Sequence, residues 1–121
     1  MLFTHPVVAS ILQHPFFKHL SVENQERLIS QSHEQQCQSG ELLIRQGQPA
    51  ERFFLVLKGR VKLYRISADG QEKVVEIIQA GQTFAEAVMF MQRSEYPVCA
   101  ETLEAVQLIS FPNRLMLTLL Q

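Results

Sequence analysis

The period of the hydrophobic positions changes along the chain. Val7, Val8, Ile11 and Leu12 recur at helical spacing, and Pro15 bars smooth continuation of that turn. Phe16, Phe17 and Leu20 form an apolar knot suited to plugging one end of a core. Ser21 is a good N-cap for a short helix over 22–31, with Leu28 and Ile29 facing inward. From Glu34 to Pro112 the helical period gives way to short β-type runs at 42–45, 53–58, 61–66, 73–78, 96–101 and 106–111. All five glycines, at 40, 47, 59, 70 and 81, fall between or beside these runs. Short strands bounded by turn signals at this spacing predict a sandwich, barrel or jelly roll rather than a parallel βαβ sheet. The run from Phe53 to Leu57 does not alternate, so that strand is expected to be buried on both faces. Val61 and Leu63 alternate with Lys62 and Tyr64, as in a strand with one wet face.

Local signals refine this outline. Asp69-Gly70 predicts a hairpin turn, because that pair supplies positive φ values. Thr83-Phe84-Ala85-Glu86 reads as a capping box, with Thr83 as N-cap and Glu86 at N3, opening an apolar turn or two from Ala87 to Met91. Pro112-Asn113 opens a last helix over 114–121 with apolar residues at 115, 116, 117, 119 and 120. That helix has neither a closing glycine nor a basic last turn, which predicts a chain cut within a longer helix. The expected organisation is one domain over 1–121: N-terminal helices over 1–33, a β-roll over 34–112, and the start of a dimerisation helix over 113–121. Exposed apolar residues at 115–120 would favour a homodimer.

Bulk properties remove several classes. The 121 residues suffice to bury a core, and 46% are hydrophobic. Eleven basic and twelve acidic residues are spread along the chain without a basic stripe, so direct phosphate-gripping of nucleic acid is not expected. No apolar run approaches the roughly 20 residues of a membrane span, and the first residues lack a basic leader region. Cys37 and Cys99 both fall in strand-like segments and are expected as free thiols, which together with the lack of a leader predicts a cytoplasmic protein.

The residues also carry a family likeness. Gly40-Glu41-Leu42-Leu43-Ile44-Arg45-Gln46-Gly47-Gln48-Pro49-Ala50 resembles the first strands of the cyclic-nucleotide-binding fold, and Phe54 to Tyr64, through Gly59, resembles the segment that follows them. The stretch from Gly81 to Glu101 lies where that family keeps its phosphate-binding cassette. Within the superfamily, Gly70-Gln71-Glu72-Lys73 and the residues from Thr83 to Met91 resemble the dissimilatory nitrate respiration regulator (Dnr) class of the Crp/Fnr regulators. The resemblance implies a mainly β, double-stranded β-helix, or jelly roll, with short flanking helices. It further implies a non-catalytic sensor for a small-molecule or gaseous effector, reaching DNA only through a downstream domain not in this sequence.

Laid on this chain, the cassette places the effector pocket at Ala85, Glu86, Arg93, Tyr96 and Pro97. The family's glycine is Ala85, its ribose-binding glutamate is Glu86, its phosphate-binding arginine is Tyr96, and the next residue is Pro97. Tyr96 brings no charge, and Pro97 has neither a side-chain donor nor an N–H. Losing a charge-assisted bond of about 1.5–3 kcal/mol should weaken phosphate binding by about one to two orders of magnitude. Arg93 substitutes only if its loop bends unusually. Glu86 has two readings, helix capping and ribose contact. Ordinary cyclic AMP binding is therefore not expected.

Two distant cysteines cannot hold an iron–sulfur cluster. A haem cofactor is what the Dnr likeness implies, through haem-mediated nitric oxide sensing; the alternative is no cofactor. Among His5, His14, His19 and His33, His14 lies best for a ligand, beside an apolar pocket of Phe16, Phe17, Phe84, Met89 and Phe90. The plainer readings are an ordinary surface histidine and ordinary core. No histidine-rich metal set, nucleophile elbow or phosphate loop supports an enzyme. Two other functions compete with sensing: a degenerate roll acting as a packing or dimerisation module, and a free-standing cyclic-nucleotide-binding module.

Overall fold

The computed structural model describes residue 11 and residues 13–121; His5, Val7, Val8 and Leu12 lie outside the described residues. Among the described residues, eight antiparallel strands form two four-stranded sheets. The strands are β1 (His33–Cys37), β2 (Leu42–Ile44), β3 (Arg52–Lys58), β4 (Val61–Ile66), β5 (Glu72–Ile78), β6 (Thr83–Phe84), β7 (Cys99–Thr102) and β8 (Val106–Pro112). One sheet runs β1-β8-β3-β6 and the other β2-β7-β4-β5, the jelly roll expected. Three helices accompany them: α1 (Val22–Ser30), α2 (Glu86–Phe90) and α3 (Asn113–Leu119).

The core has two compartments, divided by the first sheet. Phe54 and Val56 of β3 point into the sandwich with Val61, Leu63, Ala100 and Leu108. Phe53 and Leu55 point the other way, into a layer shared with Phe17, Leu28, Phe111 and Met116. This sheet is therefore a middle layer between the second sheet and the helices, and both faces of β3 demand apolar side chains. That is why 53–57 does not alternate.

The helices follow their end signals. Ser21 accepts from the Asn24 N–H at 3.1 Å and caps α1, whose Leu28 is buried. The β4–β5 turn forms at the expected place, but only Gly70 has a positive φ, 83°. Tyr64 is a correction to the expected wet face, since it is only 6% exposed. Its neighbour in β7 is Cys99, and Lys62 lies 4.9 Å over its ring. The final helix corrects the sequence reading as well. Leu115 and Met116 are buried against the middle sheet's outer face, whereas Leu120 is exposed, so the row at 115–120 is not one free apolar face. Among the described residues, no helix is long and apolar enough to cross a membrane.

Candidate functional site

The cassette begins with a local conformation that sequence reasoning placed differently. Thr83 is not a helix cap. It belongs to β6, opposite Leu55 of β3, and the helix starts at Glu86. Ala85 stands at the N-cap in the left-handed region, φ 68°, with no side-chain capping bond. Two consecutive demands produce this: Phe84 must complete the β3–β6 pairing, stacking on Phe54 at 4.7 Å, and the chain must then turn sharply into α2. A glycine meets that left-handed turn without steric strain; Ala85 adopts it while carrying a Cβ. The relation between Thr83 and Glu86 survives in another form, with the Thr83 hydroxyl donating to Glu86 Oε1 at 2.8 Å. One carboxylate oxygen of Glu86 is thus already engaged.

Tyr96 is held inside the roll. It is 3% exposed, its hydroxyl donates to the Arg52 carbonyl at 2.7 Å and accepts from the Arg52 N–H at 3.2 Å. Burial raises the Tyr96 phenol above its ordinary value, so it stays neutral. The backbone around it is closed too. The Tyr96 N–H donates to Gln48 O at 3.0 Å, its carbonyl accepts from the Gly47 N–H at 2.9 Å, and the Ala50 N–H donates to Ser94 O at 2.9 Å. With the Tyr96 N–H engaged and none on Pro97, neither residue offers a main-chain donor to a phosphate. Tyr96→Phe leaves both Arg52 backbone groups without that partner. It is expected to cost about 1–3 kcal/mol in urea unfolding; a loss under about 0.5 kcal/mol would show water taking over the hydroxyl's role.

Arg52 was not singled out from the sequence, yet it organises this region. Its Nε donates to Ser110 Oγ at 2.8 Å, and a terminal nitrogen donates to the carbonyls of Gln31 and Ser110 at 2.9 and 3.0 Å. It thereby ties β3 to β8 and to the end of α1. No sequence signal distinguishes it from any arginine preceding an apolar strand.

The other expected site residues are not brought together. Arg93 is exposed and lines a groove between α2 and α3 whose lining does not include Tyr96. Phe84 is in the sandwich, whereas Phe16, Phe17 and Met89 belong to the helical layer and Phe90 is 51% exposed. In that layer the rings are already in contact: Phe16–Phe17 at 5.2 Å, Phe16–Phe53 at 5.3 Å, and Phe17–Phe111 at 5.0 Å. His14 Nδ1 accepts from the Phe16 N–H at 3.0 Å, and Nε2 lies 2.7 Å from the Gly81 carbonyl. A carbonyl only accepts, so Nε2 carries the proton and both ring nitrogens are engaged. A haem held by His14 among these rings does not fit this arrangement. Among the described residues no group of three or more His, Cys, Asp and Glu is placed to hold a metal ion. Cys37 lies on β1 and Cys99 on β7, in different sheets, and both are free and buried.

Two cavities flank the cassette. One, of about 260 Å³, is lined by His33, Gln35, Gln48, Arg52 and Tyr96 among others. The groove between α2 and α3 is larger, about 680 Å³. Small-molecule sites usually measure about 300–1,000 Å³.

Two antiparallel sheets, a strand–turn–helix cassette and a terminal helix laid on the middle sheet define a jelly-roll receiver domain. The chain belongs to the cyclic nucleotide-binding domain family, whose sequence model matches residues 34–121, and it is a sensor domain of the Crp/Fnr regulator type. It is similar to the sensor domain of the transcriptional regulator DNR from Pseudomonas aeruginosa, 35% identical with a TM-score of 0.92, covering all of this chain and 81% of that one. The global nitrogen regulator of Synechococcus elongatus is 34% identical over 83 residues, which are 68% of this chain and 37% of that protein. The chain thus spans well under half the length of that curated relative. The regulatory domain of Toxoplasma gondii PKA, solved with cAMP, is 18% identical with a TM-score of 0.84, over 97% of this chain and 46% of that one, and shares the fold. The family is one of regulatory domains rather than enzymes.

Proposed function

We propose that this chain is the effector-sensing part of a transcription regulator that does not take cyclic AMP in the family's usual manner. The observation that carries this is the state of Tyr96. The position that would hold the phosphate is a buried neutral phenol, bonded at both donor and acceptor to the Arg52 main chain and followed by Pro97. The effector signal would leave through α3, toward a DNA-binding domain beyond this sequence and a second copy of the regulator in the cell's cytoplasm. Such a signal requires only that the effector bind one placement of α3 better than another.

Haem-carried nitric oxide sensing is the second reading, implied by the resemblance of 70–73 and 83–91 to the Dnr class. It demands that His14 Nε2 leave the Gly81 carbonyl and that the Phe16–Phe17 layer open. Two titrations separate the readings. Calorimetry with cyclic AMP is expected to show no binding tighter than about 10 µM; tighter binding would overturn the reading of Tyr96 and Pro97. Haem is expected to give no Soret band that His14→Ala removes, and a His14-dependent band would put the haem reading first.

A further inference from the structure

We propose that the groove between α2 and α3 is an effector site for an amphiphilic organic anion, with its acidic head between Arg93 and Arg114 and its apolar body over Val88, Met89 and Leu117. The inference rests on the reading of the chain as an effector-sensing domain and names the site and ligand class. Four observations converge on it.

The first is size: about 680 Å³ holds a small organic molecule, whereas the cavity beside Tyr96 measures about 260 Å³. The second is charge. Two guanidiniums, Arg93 and Arg114, line the groove against one side-chain carboxylate, Glu51, and neither guanidinium has a hydrogen-bonded or ion-pair partner among the described residues. Unpaired planar guanidiniums suit carboxylate and phosphate oxygens, which they bind through paired N–H groups. The third is the floor: Val88 and Met89 are buried core residues, so an apolar tail would meet a formed surface.

The fourth is an open acceptor. Asn113 lines the groove, is 8% exposed, and donates through Nδ2 to the Ala50 carbonyl at 3.3 Å. Its Oδ1 is buried without a hydrogen-bond partner, an unusual and costly state. A guanidinium drawn inward by a bound anion, or a donor on the ligand, would satisfy it.

The placement also supplies an output. Arg93 belongs to the cassette loop after α2, and Arg114 sits in the first turn of α3. An acidic head bridging the two joins the cassette to the helix through which a signal must leave. The same bridge bypasses Tyr96 and Pro97.

Calorimetry on the 121-residue chain with octanoate, octyl phosphate and uncharged octanol tests this. Both anions are expected to bind one per chain, with octanol at least about tenfold weaker, and R93Q and R114Q are each expected to weaken the anions by about tenfold or more. Both arginines are exposed, so the variants should melt as the parent does. Equal binding of octanol and octanoate would overturn the proposal, as would anion affinities unmoved by R93Q and R114Q, or no heat from either anion at about 10 mM. Cyclic AMP titrated into the same variants separates the two claims. Tight cyclic AMP binding that R93Q and R114Q leave unchanged would overturn the functional reading above, whereas failure of the octyl anions alone would overturn only the groove assignment.

Discussion

Phe53→Ala is expected to destabilise the domain by about 3–5 kcal/mol, a large share of the roughly 5–15 kcal/mol that holds a typical domain folded. Phe53 is fully buried and lies directly opposite Phe111 in the β3–β8 pairing, their rings 5.3 Å apart. Phe16 packs on it at 5.3 Å and Phe17 at 6.2 Å. Its ring therefore joins the middle sheet to the segment preceding α1. The walls of the hole left behind belong to β8 and that segment, which cannot close it together without breaking the sheet register. The urea midpoint should fall with an unchanged slope. A loss under about 1.5 kcal/mol would mean that Phe16 and Phe17 drop into the space, so that the N-terminal segment is not fixed by the sheet. Phe90→Ala is the control: that ring is 51% exposed, with one aromatic neighbour among the described residues, Phe16 at 5.8 Å.

Gly59→Ala carries the other large effect. Gly59 joins β3 to β4 with φ 91°, and a Cβ there would stand 2.4 Å from the Ala105 carbonyl oxygen and 2.8 Å from Val106 Cγ2. The first obstacle is backbone of the loop before β8, not a flexible side chain. Backbone strain of about 1–3 kcal/mol and overpacking of about 1–3 kcal/mol then add. A loss of about 2–6 kcal/mol follows, read from thermal or urea unfolding. Gly70→Ala separates the two terms, because Gly70 has φ 83° but open space around its Cβ position. It should show the strain alone. Equal losses at the two sites would mean that the Ala105 loop yields freely.

How far these features were legible varies with their physical origin. The apolar run from Phe53 to Leu57 announced a strand buried on both faces, because a middle layer imposes its demand on every residue of the strand. Ser21 and the Asp69-Gly70 turn were legible for a similar reason, since their hydrogen bonds and dihedrals are satisfied within a few residues. β1 had no bounded run. His33, Glu34, Gln35 and Gln36 are exposed and polar, and only pairing with β8 from Val106 to Ser110 makes them a strand. Thr83 misled because a threonine three residues before a glutamate suits a capping box, but pairing with Leu55 across the sheet claimed its backbone first.

The site divides in the same way. The sequence alone established which chemical groups stand in the cassette: no arginine at position 96, no N–H at 97, an alanine for the glycine and a retained glutamate. Those are covalent facts, and set beside the family's cassette by resemblance they imply the reduced expectation of cyclic AMP binding. Only the tertiary structure decided what the groups do. Tyr96 turns inward because 47–50 pairs with 94–96 and brings its hydroxyl to Arg52, while Arg93 turns outward to share a groove with Arg114, 21 residues away in the chain. Spacing along a strand or helix reports neighbours within a few residues. Partners brought together by packing of two sheets and a helix leave no periodic trace, so Arg52, Asn113 and Arg114 became visible only once the chain had folded around them.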